Sequence, residues 1–299
     1  MHKKILAGAL VFLALTGCHS EQVEANKTPP PGINPVAAEN VSDKEAVEED
    51  LIEDFKYLDN HISDMTEKEA TDWFYKLEEM SIKKQFYYIE VISLDKHIQT
   101  ELMKCYDATK GEFDFGKYDG GSGMIIEEIY ASGYKLVPYE GVIYPVTDYS
   151  KFKPYAAFMS DEVQSYIYIK ALESEEITST RSTLEISQAD LVERILMAEN
   201  HIRKFKDGKT YPIVLEMYKA YMYYYIPSVI AYEDSIKLNE ETVSEYKSFI
   251  DAHPDTIAAK VVSDYLETLS DNHYEKNDAM KAYLSGFYDS LDGYISKTN

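Results

Sequence analysis

KKQFYYIEVISLDKHIQTELMKCY, residues 83–106, decides the fold class. Tyr87, Val91, Leu94, Ile98, Leu102 and Cys105 recur every three or four positions, which is one stripe of an α-helix and not the alternation of a strand. The stretch belongs to a longer tract, 42–110, that contains neither glycine nor proline. Three helices are predicted there. The first follows Ser42 as N-cap, with Val47, Leu51, Phe55 and Leu58 on one face and acidic residues crowding its positive end. The second opens on the capping-box pair Thr66 and Glu69 and runs through Met80, with Trp73, Phe74 and Leu77 inward. The quoted stretch is the third.

Downstream the composition changes. Residues 111–147 hold seven of the chain's 13 glycines, with a loop (EFDFGKYDGGSG), a short helical piece (MIIEEIYA) and two short strands at 134–137 and 142–146. Irregular segments on a rigid scaffold are where binding side chains gather. Tyr134, Tyr139, Tyr144 and Tyr149 lie here beside Glu140 and Asp148, the makings of an aromatic, acidic cleft for a sugar or peptide. Two carboxylates beside stacking rings are also what a glycosidase uses, with Glu140 and Asp148 as the pair.

Helices then resume. Ser160 and Ser187 cap two of them, and the second carries Leu191, Ile195, Ala198, Ile202 and Phe205 on one face. Pro212 suits the first turn of a helix whose residues 213–226 are apolar nearly all round, which marks it as buried, and Pro227 ends it. Asn239 and Asp255 start two more, and a last helix is predicted over about 275–291. Fold class is therefore all-α or nearly so: helical hairpins in a solenoid-like stack, with a small irregular two-stranded insert.

Residues 198–205 and 246–253 repeat at a spacing near 48, each ending a helix before a turn and a second helix. Tyr246, Phe249, Ile250, Pro254, Asp255, Thr256 and Ala259 form a pattern that resembles the helix pairs of tetratricopeptide-like lipoproteins. The first copy has Asp207-Gly208 where the proline would stand. That resemblance implies an array binding partner proteins through a concave face.

The N-terminus fixes the expected location. Lys3 and Lys4 precede an apolar run, Ile5 to Leu15, that is too short to span a bilayer and reads as a secretory signal. It ends in Leu15-Thr16-Gly17-Cys18, which resembles the lipobox of bacterial lipoproteins. The resemblance implies cleavage before Cys18, a diacylglycerol on its thiol, and anchoring at the extracytoplasmic face of the membrane. His19 follows, not the aspartate that retains such proteins in the inner membrane, so the outer membrane is open to it in a Gram-negative cell. Residues 19–41, polar and with Pro29-Pro30-Pro31, read as a disordered tether. The expected organisation is signal peptide 1–17, lipidated cysteine and tether 18–41, helical region 42–110, irregular insert 111–159 and helical-pair region 160–299.

Charge and motifs bound the function. The net charge is −23, and −25 once the signal removes Lys3 and Lys4, which repels phosphate backbones and excludes nucleic-acid binding. It also favours cationic partners. With Cys18 lipidated only Cys105 remains, on an apolar stripe, so no disulfide framework exists. S-x-x-K occurs at Ser81 and Ser93 and S-D-N at Ser270, but the K-T-G of penicillin-recognising enzymes is missing. No H-E-x-x-H, G-x-S-x-G, C-x-x-C or Walker pattern occurs, and no histidines share metal-ligand spacing, so neither cofactor nor metal is expected. Strand–helix alternation, the signature of solute-binding α/β proteins, is absent as well. The expectation is a lipid-anchored envelope protein that binds or scaffolds a protein or glycan partner, with glycan hydrolysis as the alternative.

Overall fold

A computed structural model describes residues 50–299 apart from 108, 110–111, 118–122, 140, 181–182, 227–237, 272, 276–277 and 299. Cys18, the tether, Ser42, Val47, Glu140 and Pro227 lie outside the described residues. The chain divides into two compact units, one ending at Glu176 and the other running from Ile177 to Asn299. The helix after Ser160 packs into the first unit.

The first unit is mostly helix, with one hairpin of six-residue strands and a two-residue ladder among the described residues. Helix α1 (Leu51–His61) starts at Asp50, whose side chain accepts from the N–H groups of Ile52 and Glu53. Helix α2 (Glu67–Tyr88) opens on the reciprocal capping box of Thr66 and Glu69, and helix α3 (Lys96–Cys105) on Asp95. Helix α4 (Gly123–Ala131) precedes the hairpin of β3 (Tyr134–Tyr139) and β4 (Val142–Thr147). A 3₁₀ segment (Tyr149–Phe158) and helix α5 (Asp161–Glu175), capped by Ser160, complete the unit. A minor ladder, β1 (Tyr106–Asp107) with β2 (Glu112–Phe113), lies between α3 and α4.

The stripe of residues 83–106 is corrected by the structure. Helix α2 continues past Met80 to Tyr88, widens into a π-turn at Ile89–Ser93, and stops. The wider turn shifts the phase of the helix face, so Ile92 is fully buried while Leu94 is 73% exposed. Asp95 then caps a new helix on a new face. Gln99 reaches back to close the break: its Nε2 donates to Ile92 O at 2.8 Å.

The hairpin confirms both expected strands, with Tyr139 opposite Val142 and the chain reversing at Gly141, φ +75°. Its edges are closed by side chains. Gln99 Nε2 also donates to Ile143 O at 2.8 Å while Ile143 N–H donates to Gln99 Oε1 at 2.7 Å, and Gln85 donates to Pro145 O. An amide side chain thus does for β4 what a neighbouring strand would do. On β3, Pro138 offers no donor.

The core of this unit is aromatic. Phe74 stands edge-on to Phe152 at 5.3 Å and to Tyr166 at 6.1 Å, and Phe55 meets Phe152 at 5.4 Å. Trp73, expected inward, is only half-buried and lies against Tyr57 of α1. Cys105 is fully buried, as its apolar stripe implied.

The second unit begins with the ladder β5 (Ser179–Thr180) and β6 (Thr183–Leu184). Two helix hairpins follow: α6 (Gln188–Lys204) with α7 (Tyr211–Tyr225), and α8 (Glu240–Ala252) with α9 (Ile257–Ser270). Ser187 and Asn239 cap as expected; α9 starts one residue later than expected, on Thr256, whose hydroxyl accepts from Ala259 N–H. Helix α7 buries Ile213, Val214, Met217, Tyr218, Ala220, Tyr221, Met222 and Tyr225, so the nearly all-apolar helix is indeed the buried one. The single helix expected over 275–291 is two, α10 (Asp278–Ser285) and α11 (Phe287–Thr298), parted at Gly286. Among the described residues no helix is long and apolar enough to cross a membrane.

Candidate functional site

The expected cleft residues divide by the period of a strand. Successive side chains of β3 and β4 alternate between two faces, and the register pairs Tyr134 with Thr147 and Tyr139 with Val142. Tyr134 is therefore on one face and Tyr139 and Tyr144 on the other. Tyr134 is fully buried and donates to Ser81 O at 2.5 Å, with Tyr88 edge-on at 5.2 Å. Tyr139 and Tyr144 cluster with Val142 and are also buried.

Asp148 is a local cap. Its Oδ1 accepts from Ser150 N–H at 3.1 Å and from Ser150 Oγ at 2.6 Å, which starts the 3₁₀ segment. That segment turns Tyr149 into the core instead of toward a surface cleft. The structure thus brings Tyr134 and Tyr149 into one interior and sets Tyr139, Tyr144 and Asp148 elsewhere.

Inside, Tyr149 meets a buried carboxylate together with Tyr166, while Tyr134 is held by Ser81 O. Glu78 of α2 shares a buried face with Phe74, Leu77, Ser81, Gln85 and Tyr88. Its Oε1 accepts from Tyr149 Oη and from Tyr166 Oη, both at 2.7 Å. Lys170, one turn beyond Tyr166 on α5 and 5% exposed, sets its ammonium 4.7 Å from the centre of the Tyr149 ring. One carboxylate, two hydroxyls and one ammonium so join α2, the 3₁₀ segment and α5.

The electrostatics follow from burial. Removal from water, then the nearby Glu78 charge, pushes both Tyr149 and Tyr166 well above the usual phenol range. Burial also lowers the Lys170 ammonium, against the pull of Glu78 and Glu173. Hydroxyls held protonated in this way donate to a fixed carboxylate and are poor bases near neutrality. The cluster fastens three elements together.

The second unit repeats the device with a different geometry. Glu199 of α6 is 2% exposed and lies inside the apolar stripe of Ile195, Ala198 and Ile202. Its Oε1 accepts from Ile257 N–H at 2.7 Å and its Oε2 from Ala258 N–H at 2.9 Å, the first two amides of α9. Tyr218 Oη of α7 donates to the same carboxylate at 3.1 Å, and Arg203 stands 3.5 Å away. The negative charge faces the positive end of the α9 dipole. Glu199 therefore ties the first helix hairpin to the second.

Comparison with protein-family models, with curated proteins and with solved structures finds no match. Among the described residues no group of three or more histidines, cysteines and carboxylates stands together as a metal site would require.

Proposed function

We propose that this chain is a lipid-anchored extracytoplasmic protein of the bacterial envelope, held to the membrane through Cys18, that binds or scaffolds a partner without turning over a substrate. The anchor rests on Leu15-Thr16-Gly17-Cys18 behind its short apolar run. The observation that carries the binding reading is the employment of the buried carboxylates. Glu78 and Glu199 each take hydrogen bonds from other elements, stiffening a framework. Successive helix hairpins in the second unit are compatible with the resemblance to tetratricopeptide-like lipoproteins, whose arrays hold proteins. Glycan hydrolysis by Glu140 and Asp148 draws no support from Asp148, whose Oδ1 already serves Ser150.

Cross-linking in intact cells, followed by capture of the tagged full-length protein from detergent-solubilised envelopes, tests the reading. A specific envelope partner recovered in near-equal amount is expected. Soluble fragments released from purified cell-wall glycan by the wild-type protein, and not by Asp148→Asn, would overturn it in favour of the hydrolase.

A further inference from the structure

Most aromatic side chains of the first unit are interior; Tyr57, Tyr87, Phe158 and Tyr168 are exposed, and of these Tyr57 stands in a stack of rings. Tyr57 and His61, one turn apart on α1, stack at 4.2 Å with 19° between their planes. Tyr57 also stacks on Trp73 of α2, at 4.9 Å and 29°. Three rings from two helices thus form a short column, and it is not buried: Tyr57 is 41% exposed, His61 is exposed and Trp73 is half-buried.

The column already holds a cation at one end. Lys76 places its ammonium 4.3 Å from the centre of the Trp73 ring, with Asp54 Oδ1 3.4 Å from it. The other end is His61, oriented by its Nδ1 contact with Tyr57 O at 2.8 Å. Among the described residues no second ring or cation lies on that end. The surroundings are acidic: residues 50–77 carry eight carboxylates against three lysines, and beyond the Glu53–Lys56 and Asp54–Lys76 pairs the exposed Asp64 follows His61 by three residues.

We propose that the Trp73–Tyr57–His61 column is a docking site for an arginine on a cationic segment of a partner protein. A planar guanidinium stacks on a ring face while its N–H fork engages a carboxylate through two parallel hydrogen bonds; an ammonium stacks less well and pairs with a carboxylate without that fork. Tryptophan, tyrosine and arginine are also the residues that dominate protein interfaces. The proposal rests on the binding-protein reading and names the chemistry of the partner.

Trp73 is the chain's only tryptophan, so its emission reports the column directly. The test titrates full-length protein in detergent, at about 50 mM salt, with blocked peptides alternating glycine with arginine, lysine or glutamate. The arginine peptide is expected to give a saturable change in Trp73 emission. Tyr57→Ala should weaken it about ten-fold, Tyr57→Phe should restore it, and about 0.5 M salt should abolish it. Far-UV circular dichroism of each variant checks that the fold persists. A lysine peptide binding as tightly, an arginine response indifferent to Tyr57→Ala, or a response to neutral oligosaccharide with none to arginine would each overturn the assignment. A cross-linked partner whose capture ignores Tyr57→Ala would overturn it too, while leaving the binding reading standing.

Discussion

Replacing Glu199 by alanine should unfasten the second unit. The carboxylate takes the Ile257 and Ala258 amides at 2.7 and 2.9 Å, and both residues are essentially unexposed. A hydrogen bond to a charged acceptor contributes about 1.5–3 kcal/mol, and a donor stranded in the interior forfeits its desolvation as well. Two amides and the Tyr218 hydroxyl are stranded together. Some water entry at the α9 N-terminus returns part of the loss, leaving about 3–5 kcal/mol. Glutamine keeps the shape and one acceptor oxygen, so Glu199→Gln should lose about half as much. Urea unfolding followed by helical ellipticity measures both. With a slope near 2 kcal/mol/M, the alanine midpoint should fall by about 2 M. An alanine midpoint within about 0.5 M of wild type, or equal losses for alanine and glutamine, would refute the reasoning.

Three other outcomes follow from the geometry. Gly133 has φ +84°, and a Cβ there would lie 2.8 Å from the Phe55 ring, so Gly133→Ala should cost about 2 kcal/mol in thermal unfolding. Gln99→Ala removes the amide that closes both the π-turn and the β4 edge, and should raise hydrogen-exchange rates at Ile143 about ten-fold or more. Alkaline stability should fall above about pH 10. Tyr149, Tyr166 and Tyr218 have raised folded values, so the folded state keeps protons that the unfolded chain gives up, and stability present below the unfolded value is lost as pH rises. Tyr288, pushed up to about 12 by burial, acts in the same sense. Lys170, lowered by burial, acts in the opposite sense below 10.5 and is outnumbered. Spectrophotometric titration should show these phenols ionising only with loss of ellipticity; reversible ionisation of all 27 tyrosines in the folded protein near pH 10 would contradict it.

Local signals were legible in the sequence and long-range polar ones were not. Thr66, Ser160, Ser187 and Asn239 act as caps because a cap is made within three residues of itself. The hairpin announced itself through Val, Ile and Tyr around Gly141. The break at Asp95 stayed hidden because apolar residues continue at helical spacing straight through the π-turn. Glu78 and Tyr149 lie 71 positions apart, and nothing in periodicity pairs them. A signal did exist: Glu78 and Glu199 each sit inside an otherwise apolar stripe, and an acid there needs an internal partner. Tyr134 and Tyr144 looked like neighbours on a cleft because proximity in sequence ignores the strand's alternation of faces.

The proposed membrane location rests on Cys18, and mass spectrometry of the N-terminal peptide tests it most directly. The expected result is a chain that begins at Cys18 and carries the mass of a thioether-linked diacylglycerol, recovered from the membrane fraction. An N-terminal peptide that still contains Lys3 and Lys4, with an unmodified Cys18 thiol and the protein free of membranes, would contradict it.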